Sequence, residues 1–248
     1  MKNLCVITGA GSGIGRATAL LFHQNNWEVF LVGRDIDHLQ ETQKLCGPGA
    51  QVHYKTCDIT KEQEIRDLVT VVERIKFESL CLVNNAGIYI ADTPETEIDI
   101  WREHFTINLF GAVLLTQGLL PLMIQKNNNS IVNVSSTLGL KPVGPASAYS
   151  ASKAAMNSWT QSLALSIAER GIRVNAVCPG LVDTPIHPFH SQESSKKLET
   201  LKKMGPMQPL GRIGTPEEIA KSIYFLASED SGWTTGALLS VDGGINLT

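Results

Sequence analysis

A tyrosine and a lysine four positions apart, Tyr149 and Lys153, are the residues of this sequence best suited to acid–base chemistry. On a helix this spacing puts both side chains on one face, where a lysine ammonium favours the phenolate form of a tyrosine. We therefore expect Lys153 to lower the pKa of Tyr149, whose ordinary value of about 10 is too high for proton transfer near neutrality. Ser136 lies thirteen positions before the tyrosine, and its hydroxyl could hold a substrate oxygen. Taken alone, the spacing of the pair also fits a helix start with a solvated lysine.

Four glycines from Gly9 to Gly15 form a second candidate site. They follow an apolar run that is typical of a strand and precede a helical pattern. The amides at a helix N-terminus attract anions, and glycines let a phosphate approach the backbone because they carry no Cβ. This placement predicts nucleotide binding, and the alternative interpretation is a tight turn between a strand and a helix.

The elements that must position these residues are predicted from the apolar pattern. Seven apolar runs, each too short for a helix, predict strands buried on both faces. They are residues 4–7, 29–32, 52–54, 80–83, 131–134, 172–177 and 238–241. Helical patterns lie between them, the longest at 101–123 and 149–168. The alternation predicts an α/β fold, a doubly wound parallel sheet with helices on both faces.

The chain shows no internal linker, so residues 1–248 are expected to form a single domain. One irregular stretch, 181–209, is rich in Pro, Ser and Lys. Long loops in compact domains often bind or cover a substrate. We therefore expect this stretch to be a substrate-binding loop or lid.

The order and spacing of these elements resemble the short-chain dehydrogenase/reductase family. After the glycine loop come Asn-Asn-Ala-Gly at 84–87, the serine, the tyrosine with the lysine, and Pro-Gly at 179–180, and the similarity extends to 240–244. The resemblance implies a Rossmann-like sheet of about seven strands. It also implies an oxidoreductase that moves a hydride between a nicotinamide cofactor and an alcohol or carbonyl.

The resemblance further implies roles for individual residues. It assigns catalysis to Asn108, Ser136, Tyr149 and Lys153, with Tyr149 as the acid–base group and Asn108 beside a water that links Lys153 to solvent. Without the resemblance, Asn108 fits a polar helix residue satisfied by the backbone. The implied cofactor-binding residues are Gly9, Ser12, Gly13, Ile14, Gly15, Arg34, Asp58, Ile59, Asn85, Ala86, Gly87, Tyr149, Lys153, Pro179, Gly180, Val182 and Thr184.

The residues after the second predicted strand bear on the choice between NADP and NAD. Family members that use NAD usually carry an acidic residue where this chain has Gly33, and Arg34 follows, whose guanidinium suits a ribose phosphate. Asp35 would repel that phosphate if its carboxylate turned toward the ribose. Ser12 stands where members that strongly prefer NADP often carry a second basic residue. We favour NADP and keep NAD as the alternative.

The substrate is less well defined by the sequence. Ala91, Leu138, Val143 and the stretch 181–209 are expected to line the pocket, and they are mostly apolar. A small apolar alcohol or ketone is therefore favoured.

Two alternative functions remain open. An enzyme similar to the 3-oxoacyl-(acyl-carrier-protein) reductases is one, because Arg170 matches a carrier-docking position, although the stretch 126–130 lacks a second arginine expected there. A regulatory protein that binds NADPH without turnover is the other. Such proteins typically lose part of the serine–tyrosine–lysine set, which this chain retains.

Composition bears on partners and location. With 21 Lys and Arg against 24 Asp and Glu, the net charge of −3 offers no broad basic surface for nucleic acid. The five cysteines lack Cys-x-x-Cys spacing and no metal-ligand cluster is evident, so neither disulfides nor a metal are expected. The first apolar run is too short for a signal peptide, and no uninterrupted run reaches the roughly 18 residues of a membrane span. We expect a cytoplasmic protein that binds no membrane, and the family resemblance implies a homotetramer.

Overall fold

The computed structural model describes residues 2–123 and 128–248, and it confirms the predicted α/β fold. Seven parallel strands form one sheet in the order β3-β2-β1-β4-β5-β6-β7. They are β1 Lys2–Thr8, β2 Glu28–Gly33, β3 Val52–Thr56, β4 Phe77–Asn84, β5 Asn129–Val134, β6 Ile172–Pro179 and β7 Leu238–Val241. Each predicted strand is present, and most are slightly longer than predicted.

Alternate residues of the central strands serve two apolar cores, one on each face of the sheet. In β1, Leu4 and Val6 belong to one core, whereas Cys5 and Ile7 belong to the other. All four side chains are fully buried. Because both faces are covered, the strand is apolar throughout, as is typical of parallel sheets.

Helices cover the two faces of the sheet. Within the described residues they are α1 Gly13–Gln24, α2 Ile36–Leu45, α3 Glu62–Glu73, α4 Ile98–Phe105, α5 Gly111–Met123, α6 Ser147–Ile167, α7 Ser194–Met204 and α8 Pro216–Ala227. On one face, α3 and α5 bury residues such as Leu68 and Leu115. On the other, α1, α2 and α8 bury Phe22, Leu39 and Ile223.

The helical pattern predicted at 101–123 belongs to one continuous helix, Ile98–Met123, in which a π-helical turn, Thr106–Phe110, joins α4 to α5. By length and by its mean hydropathy of 1.6, this helix could cross a membrane. Core helices of globular domains have the same character. Here Leu115, Leu119 and Met123 are fully buried in the core of the sheet, so packing accounts for part of the apolar composition.

The stretch 181–209 is less irregular than predicted. It contains α7 between two short 3₁₀ helices, Pro188–Ser191 and Gly205–Met207. No residue of α7 is buried, and Ser, Lys and Glu dominate its sequence. Its few apolar residues, Leu198, Leu201 and Met204, lie three positions apart, a short pattern within a largely polar segment.

The strand order reverses beside β1, since β2 and β3 lie to one side of it and β4 to the other. In such sheets ligands bind in the crevice outside the carboxyl ends of the strands at that point. The motifs of the sequence follow the strands directly, so the topology gathers them at this crevice.

Candidate functional site

The glycine loop joins β1 to α1 at the crevice. Gly9 and Gly13 have positive φ angles of 64° and 49°, which glycine adopts without strain. Gly15 packs so closely on the Gly9 carbonyl that no Cβ could be accommodated there. Ser12 precedes α1 in extended backbone, and its side chain caps no amide of the helix. The first amides of α1 therefore remain available to a phosphate.

Thr8 and Asn85 connect the ends of β1 and β4 beneath the glycine loop. The Thr8 hydroxyl accepts hydrogen bonds from the amides of Asn85 and Ala86, both at 2.9 Å. The Asn85 side chain donates to the carbonyls of Thr8 at 2.8 Å and Gly9 at 3.3 Å. Asn84 instead donates to side chains of α5 and β5 in the interior. The two asparagines thus have different structural roles.

Asn108 lies in the π-helical turn and is fully buried. Its Oδ1 accepts from the Ile88 amide at 2.8 Å, and its Nδ2 donates to the Ile88 carbonyl and the Ser152 hydroxyl, both at 3.1 Å. A Cβ on Gly87 would lie 3.1 Å from Asn108 Oδ1 and 3.5 Å from Lys153 Nζ. Gly87 therefore leaves a gap that both side chains border.

Ser136, Tyr149 and Lys153 come together at the carboxyl end of β5, and all three are buried. The Ser136 side chain lies close enough to the Tyr149 phenol to act on its pKa. Lys153 Nζ lies 5.8 Å from the centroid of the Tyr149 ring and donates to the Val134 carbonyl at 2.8 Å. The hydroxyl of Ser135, by contrast, donates to the Lys153 carbonyl at 3.2 Å. Of the two adjacent serines, Ser136 is therefore the one that contacts the tyrosine.

The pKa values of this pair differ from the expectation based on their spacing. Burial raises the pKa of Tyr149 to about 12, although the nearby Ser136 hydroxyl works in the opposite direction. Burial also lowers the pKa of Lys153 to about 8. The expectation that Lys153 lowers the pKa of Tyr149 is wrong for this structure. Removal of the phenol from water outweighs the effect of a lysine that binds the Val134 carbonyl.

Arg34 is exposed at the surface directly after β2, whereas the side chain of Asp35 is hydrogen-bonded to the next helix. Asp35 is the N-cap of α2, and its Oδ1 accepts from the amides two and three residues further on, at 2.9 and 3.1 Å. The His38 amide above all, with a smaller effect of the Asp37 amide, holds the pKa of Asp35 below its ordinary value. One oxygen of the Asp35 carboxylate is therefore committed to capping the helix.

Asp58 and Ile59 follow β3 but face different surroundings. Partial burial works against the ionisation of Asp58, yet hydrogen bonds from Thr60 and the charge of Arg34 help hold its pKa below the ordinary value. Ile59 is buried, and a Cβ on Gly111 of α5 would lie 2.7 Å from its Cγ1. The structure thus places the Ile59 side chain in the core rather than in the crevice.

Pro179 and Gly180 end β6 at a crowded turn. The Thr137 hydroxyl donates to the Pro179 carbonyl at 3.2 Å. A Cβ on Gly180 would lie 2.8 Å from Cα of Asp242, so only glycine fits here.

The chain after Gly180 passes over the glycine loop. Val182 is buried and forms an isolated bridge with Gly214. Thr184 is buried, and its Cβ lies 3.2 Å from where a Cβ on Gly13 would stand. Ile14, the residue after Gly13, is partly buried against the core on that face. Val182 and Ile14 therefore contribute side chains to packing, whereas Thr184 borders the loop.

Four aromatic side chains that sequence analysis did not assign to the site form a connected group with Tyr149. Tyr89 meets it edge-on with ring centroids 5.3 Å apart, and His104 lies at 6.2 Å. His187 is 6.4 Å from Tyr89 and stacks on Phe189 at 5.0 Å. The position of Tyr89, two residues after the Asn-Asn-Ala-Gly element, is the one sequence signal that could have identified this group.

The residues expected to line the substrate pocket are unevenly placed. Leu138 is partly buried, and its amide donates to the Ser136 hydroxyl at 3.1 Å. Ala91 and Val143 are exposed. Of these three residues, Leu138 is the one that lies against the site, whereas Asp92, beside Ala91, is buried and had not been singled out.

The carboxyl-end crevice, with its glycine loop and free helix amides, is the arrangement by which this fold holds nucleotides. The chain is a Rossmann-like nucleotide-binding protein. The sequence model of the family described as enoyl-(acyl carrier protein) reductase matches residues 9–246. The chain accordingly belongs to the short-chain dehydrogenase/reductase family.

Individual relatives agree with this assignment. The 3-oxoacyl-(acyl-carrier-protein) reductase FabG of Thermotoga maritima is 38% identical over 245 residues, which cover 98% of this chain and 97% of that protein. The cis-4-hydroxycyclohexanecarboxylate dehydrogenase of Sinomonas cyclohexanicum is 37% identical over 248 residues, covering 98% and 96%. A crystal structure of an actinorhodin polyketide ketoreductase with NADPH has a TM-score of 0.90 and 31% identity, covering 100% of this chain and 98% of that chain. The relatives are named dehydrogenases and reductases, and this chain is an oxidoreductase of the same family.

Proposed function

We propose that this enzyme interconverts an alcohol and the corresponding carbonyl compound with a nicotinamide cofactor, and that Tyr149 is its acid–base residue. The observation that carries the proposal is the contact between Ser136 and the Tyr149 phenol, with Lys153 one helical turn away. A carbonyl oxygen held by the serine hydroxyl would lie beside the phenolic proton. The similarity to a ketoreductase and a dehydrogenase supports this reaction class.

The crevice residues fit a dinucleotide. A Cβ would fill space at Gly9 and Gly13, and the uncapped amides of α1 stand where a pyrophosphate would bind. When bound, the cofactor supplies the hydride for reduction or accepts it in oxidation. We assign the pyrophosphate to Gly9, Ser12, Gly13, Ile14 and Gly15, the adenosine to Arg34, Asp58, Asn85, Ala86, Gly87 and the backbone of Ile59, and the nicotinamide half to Tyr149, Lys153, Pro179, Gly180, Val182 and Thr184.

The protonation states suit the direction of reduction. With a pKa of about 12, Tyr149 holds its proton near neutrality and can donate it to a carbonyl oxygen. Lys153, with a pKa of about 8, exchanges protons near neutrality and can resupply the tyrosine. The gap beside Gly87 is bordered by Lys153 and Asn108, so a proton released or taken up by the lysine could pass toward Asn108.

We infer that NADP is the preferred cofactor. Arg34 is exposed after β2, and its charge already acts on Asp58 across the end of the sheet. The nearest carboxylate in sequence, Asp35, is committed to capping α2. Arg34→Ala should weaken NADPH binding at least about tenfold while NADH binding changes little, because only NADPH carries the 2′-phosphate. Arg74→Ala, at an exposed arginine after α3, is the control, and equal losses for the two cofactors would refute the inference.

Initial rates with a panel of ketones and alcohols, each with the reduced and oxidised forms of both cofactors, test the reaction itself. We expect turnover of at least one ketone, and Tyr149→Phe should lower kcat at least about a hundredfold with NADPH binding retained. Tyr224→Phe removes a hydroxyl from α8, where Tyr224 packs partly buried against the core that also contains Phe22 and Ile223, and it should keep full activity. Tight NADPH binding without turnover of any member would contradict the proposal.

A second candidate function is reduction of a 3-oxoacyl group on an acyl carrier protein. The similarity to FabG and the matching family description favour it, and Arg170 is exposed at the end of a 3₁₀ helix after α6. Lys126 and Asn127, in the stretch that lacks the second expected arginine, lie outside the described residues. A much higher kcat/KM for a carrier-bound 3-oxoacyl substrate than for its free thioester, lost in Arg170→Ala, would favour this candidate.

We also propose that residues 181–209 act as a substrate-binding lid within the single domain expected for 1–248. Lys197 of α7 pairs with Asp183 at 2.8 Å, and His190 contacts the same carboxylate at 3.0 Å. This pair joins the polar helix α7 to the chain beside Thr184. Lys197→Met should speed hydrogen exchange in α7 and raise KM more than it changes kcat.

The expected homotetramer remains a proposal, formed through the helices that carry Asn108 and Tyr149. Phe110, on the first helix, is 51% exposed and Leu165, on α6, is 84% exposed. Exposed large apolar side chains on these helices favour burial against another copy. Light scattering should give four times the chain mass, and Leu165→Lys should reduce it.

A further inference from the structure

Tyr89 extends an aromatic surface outward from Tyr149. The two rings meet edge-on, with centroids 5.3 Å apart and an interplanar angle of 89°. On its other side Tyr89 contacts His187 at 6.4 Å, and His187 stacks on Phe189 at 5.0 Å with only 9° between the planes. Three rings from two separate segments therefore form one surface, the aromatic wall, which ends at the acid–base phenol.

The backbone on both sides of Tyr89 is fixed by side chains of one helix. Asn108 binds both the amide and the carbonyl of Ile88, and Nε2 of His104 accepts from the Ile90 amide at 3.1 Å. Nδ1 of His104 lies 2.8 Å from the Ile100 carbonyl. Tyr89 is thus held between two anchored residues, which fixes the backbone from which its ring projects.

The rings of the aromatic wall are uncharged at neutral pH. Burial lowers the pKa of His187, against the pull of Asp183, so its ring is neutral at pH 7. Phe189 is buried, whereas Tyr89 is only half-buried. Among the described residues, no side chain or backbone group hydrogen-bonds the Tyr89 hydroxyl. The ring of Tyr89 is therefore the part of this wall that both projects from a fixed backbone and is accessible beside Tyr149.

We propose that Tyr89 and His187 select substrates whose carbonyl group is attached to a flat ring, with the ring packed on the aromatic wall and the oxygen between Ser136 and Tyr149. This inference rests on the proposed function and specifies its substrate class. Aromatic rings prefer offset-stacked or edge-to-face contact with other rings, beyond what buried area provides. A flexible alkyl ketone gains less from such a wall and loses rotamer freedom on binding.

Three methyl ketones with the same number of carbon atoms form the test: acetophenone, cyclohexyl methyl ketone and methyl hexyl ketone. We expect kcat/KM with NADPH to be highest for acetophenone. Tyr89→Leu and His187→Leu should each reduce the preference for acetophenone over methyl hexyl ketone by about two- to tenfold, which is the range of one aromatic pair. Tyr89→Phe keeps the ring and should retain the preference, so it separates the ring from the hydroxyl.

The controls keep the two proposals distinguishable. Thermal melting and NADPH titration establish that each variant is folded. If Tyr89→Leu does not fold, the test rests on His187→Leu. Turnover of all three ketones without preference, or a preference unchanged in both Leu variants, overturns the aromatic-wall proposal and leaves the reaction intact. If none is turned over, the reaction as proposed fails for these ketones. Saturation-transfer NMR of acetophenone with NADP⁺ then tests the wall by itself, and equal transfer in the native protein and Tyr89→Leu overturns it.

Discussion

Asp92 and Ala148 are 56 residues apart in the chain, and a carboxylate oxygen of the first accepts the backbone amide of the second at 2.5 Å. The other carboxylate oxygen accepts the Ser147 amide at 2.8 Å. The residue before α6 is Ala146, which provides no side-chain cap. A distant loop therefore supplies the N-terminal cap of the helix that carries Tyr149 and Lys153.

Removal of this cap should affect both stability and activity. Asp92→Ala leaves two amides at the start of α6 without their acceptor, so the free energy of unfolding should fall by about 1–2 kcal/mol. The value of kcat/KM should fall with it, because Tyr149 lies in the first turn of α6. Asp92→Asn keeps one accepting oxygen, so its free energy of unfolding and its kcat/KM should fall less than those of Asp92→Ala. Urea denaturation and steady-state kinetics measure the two effects.

An exposed aspartate provides the matched control. Asp99 pairs with Arg102 on the surface of α4, with its side chain 76% exposed, and Asp99→Ala should change stability by less than about 0.5 kcal/mol. Equal destabilisation by the two substitutions would show that the cap of α6 has no special importance.

The two adjacent serines should behave differently when each is replaced by alanine. Ser136→Ala removes the hydroxyl that contacts Tyr149 and should lower kcat by about 10²–10³-fold. Ser135→Ala removes a hydrogen bond to the Lys153 carbonyl, so we expect a stability loss of about 1 kcal/mol and kcat within a few-fold of the native value. If Ser135→Ala lowers kcat more than Ser136→Ala does, Ser135 rather than Ser136 is the catalytic serine.

The buried lysine predicts a distinctive pH dependence of stability. The pKa of Lys153 is lowered to about 8 in the folded protein from its ordinary value of 10.5. Between these values the unfolded chain binds more protons, so stability should rise with pH from about 8 to 10.5 relative to a variant without the group. Lys153→Met, which keeps a similar volume, should lack this contribution. Urea denaturation at several pH values compares the slopes, and identical slopes would contradict the lowered pKa.

Tyr149 should act in the opposite direction at higher pH. Its folded-state pKa is raised to about 12 from 10, so above pH 10 the unfolded chain loses its proton first and stability should fall. Tyr149→Phe should remove that part of the alkaline loss. The same urea denaturation series compares the two proteins. An equal loss of stability above pH 10 in the native protein and in Tyr149→Phe would argue against a buried, protonated phenol.

Two glycines with positive φ allow backbone strain to be separated from crowding. Gly49 has a φ of 78° and open space where a Cβ would stand, so Gly49→Ala should cost about 1–2 kcal/mol of strain and leave NADPH binding unchanged. Gly9 has a φ of 64°, and a Cβ there would lie 2.8 Å from Nδ2 of Asn85. Gly9→Ala should cost more and should also abolish NADPH binding in a fluorescence titration. Retained binding in Gly9→Ala would remove this loop from the cofactor site.

Sequence reasoning succeeded where a pattern is local. The seven strands are runs of apolar residues between turns, and a parallel strand covered on both faces needs only that pattern to be recognised. It did not identify α7, a mainly polar helix that buries no residue. It did not identify Asp92 either, since nothing near position 92 indicates a partner at 148.

The site shows the same division between local and distant information. The spacing of Tyr149 and Lys153 correctly placed both on one helix. The spacing did not reveal that the lysine donates to the Val134 carbonyl or that burial would raise the pKa of the phenol. Likewise, the sequence left the direction of the Asp35 carboxylate open, and the structure shows that it caps α2.

By itself, then, the sequence determined the order of strands and helices, the glycine loop and the positions proposed for catalysis and cofactor binding. The reason is that backbone periodicity, turn geometry and helix spacing depend on residues close together in the chain. Only the tertiary structure decided the protonation of Tyr149, the cap that Asp92 places on α6 and the aromatic wall through Tyr89. Each of these depends on burial or on contact between distant segments, which folding creates and local sequence does not record.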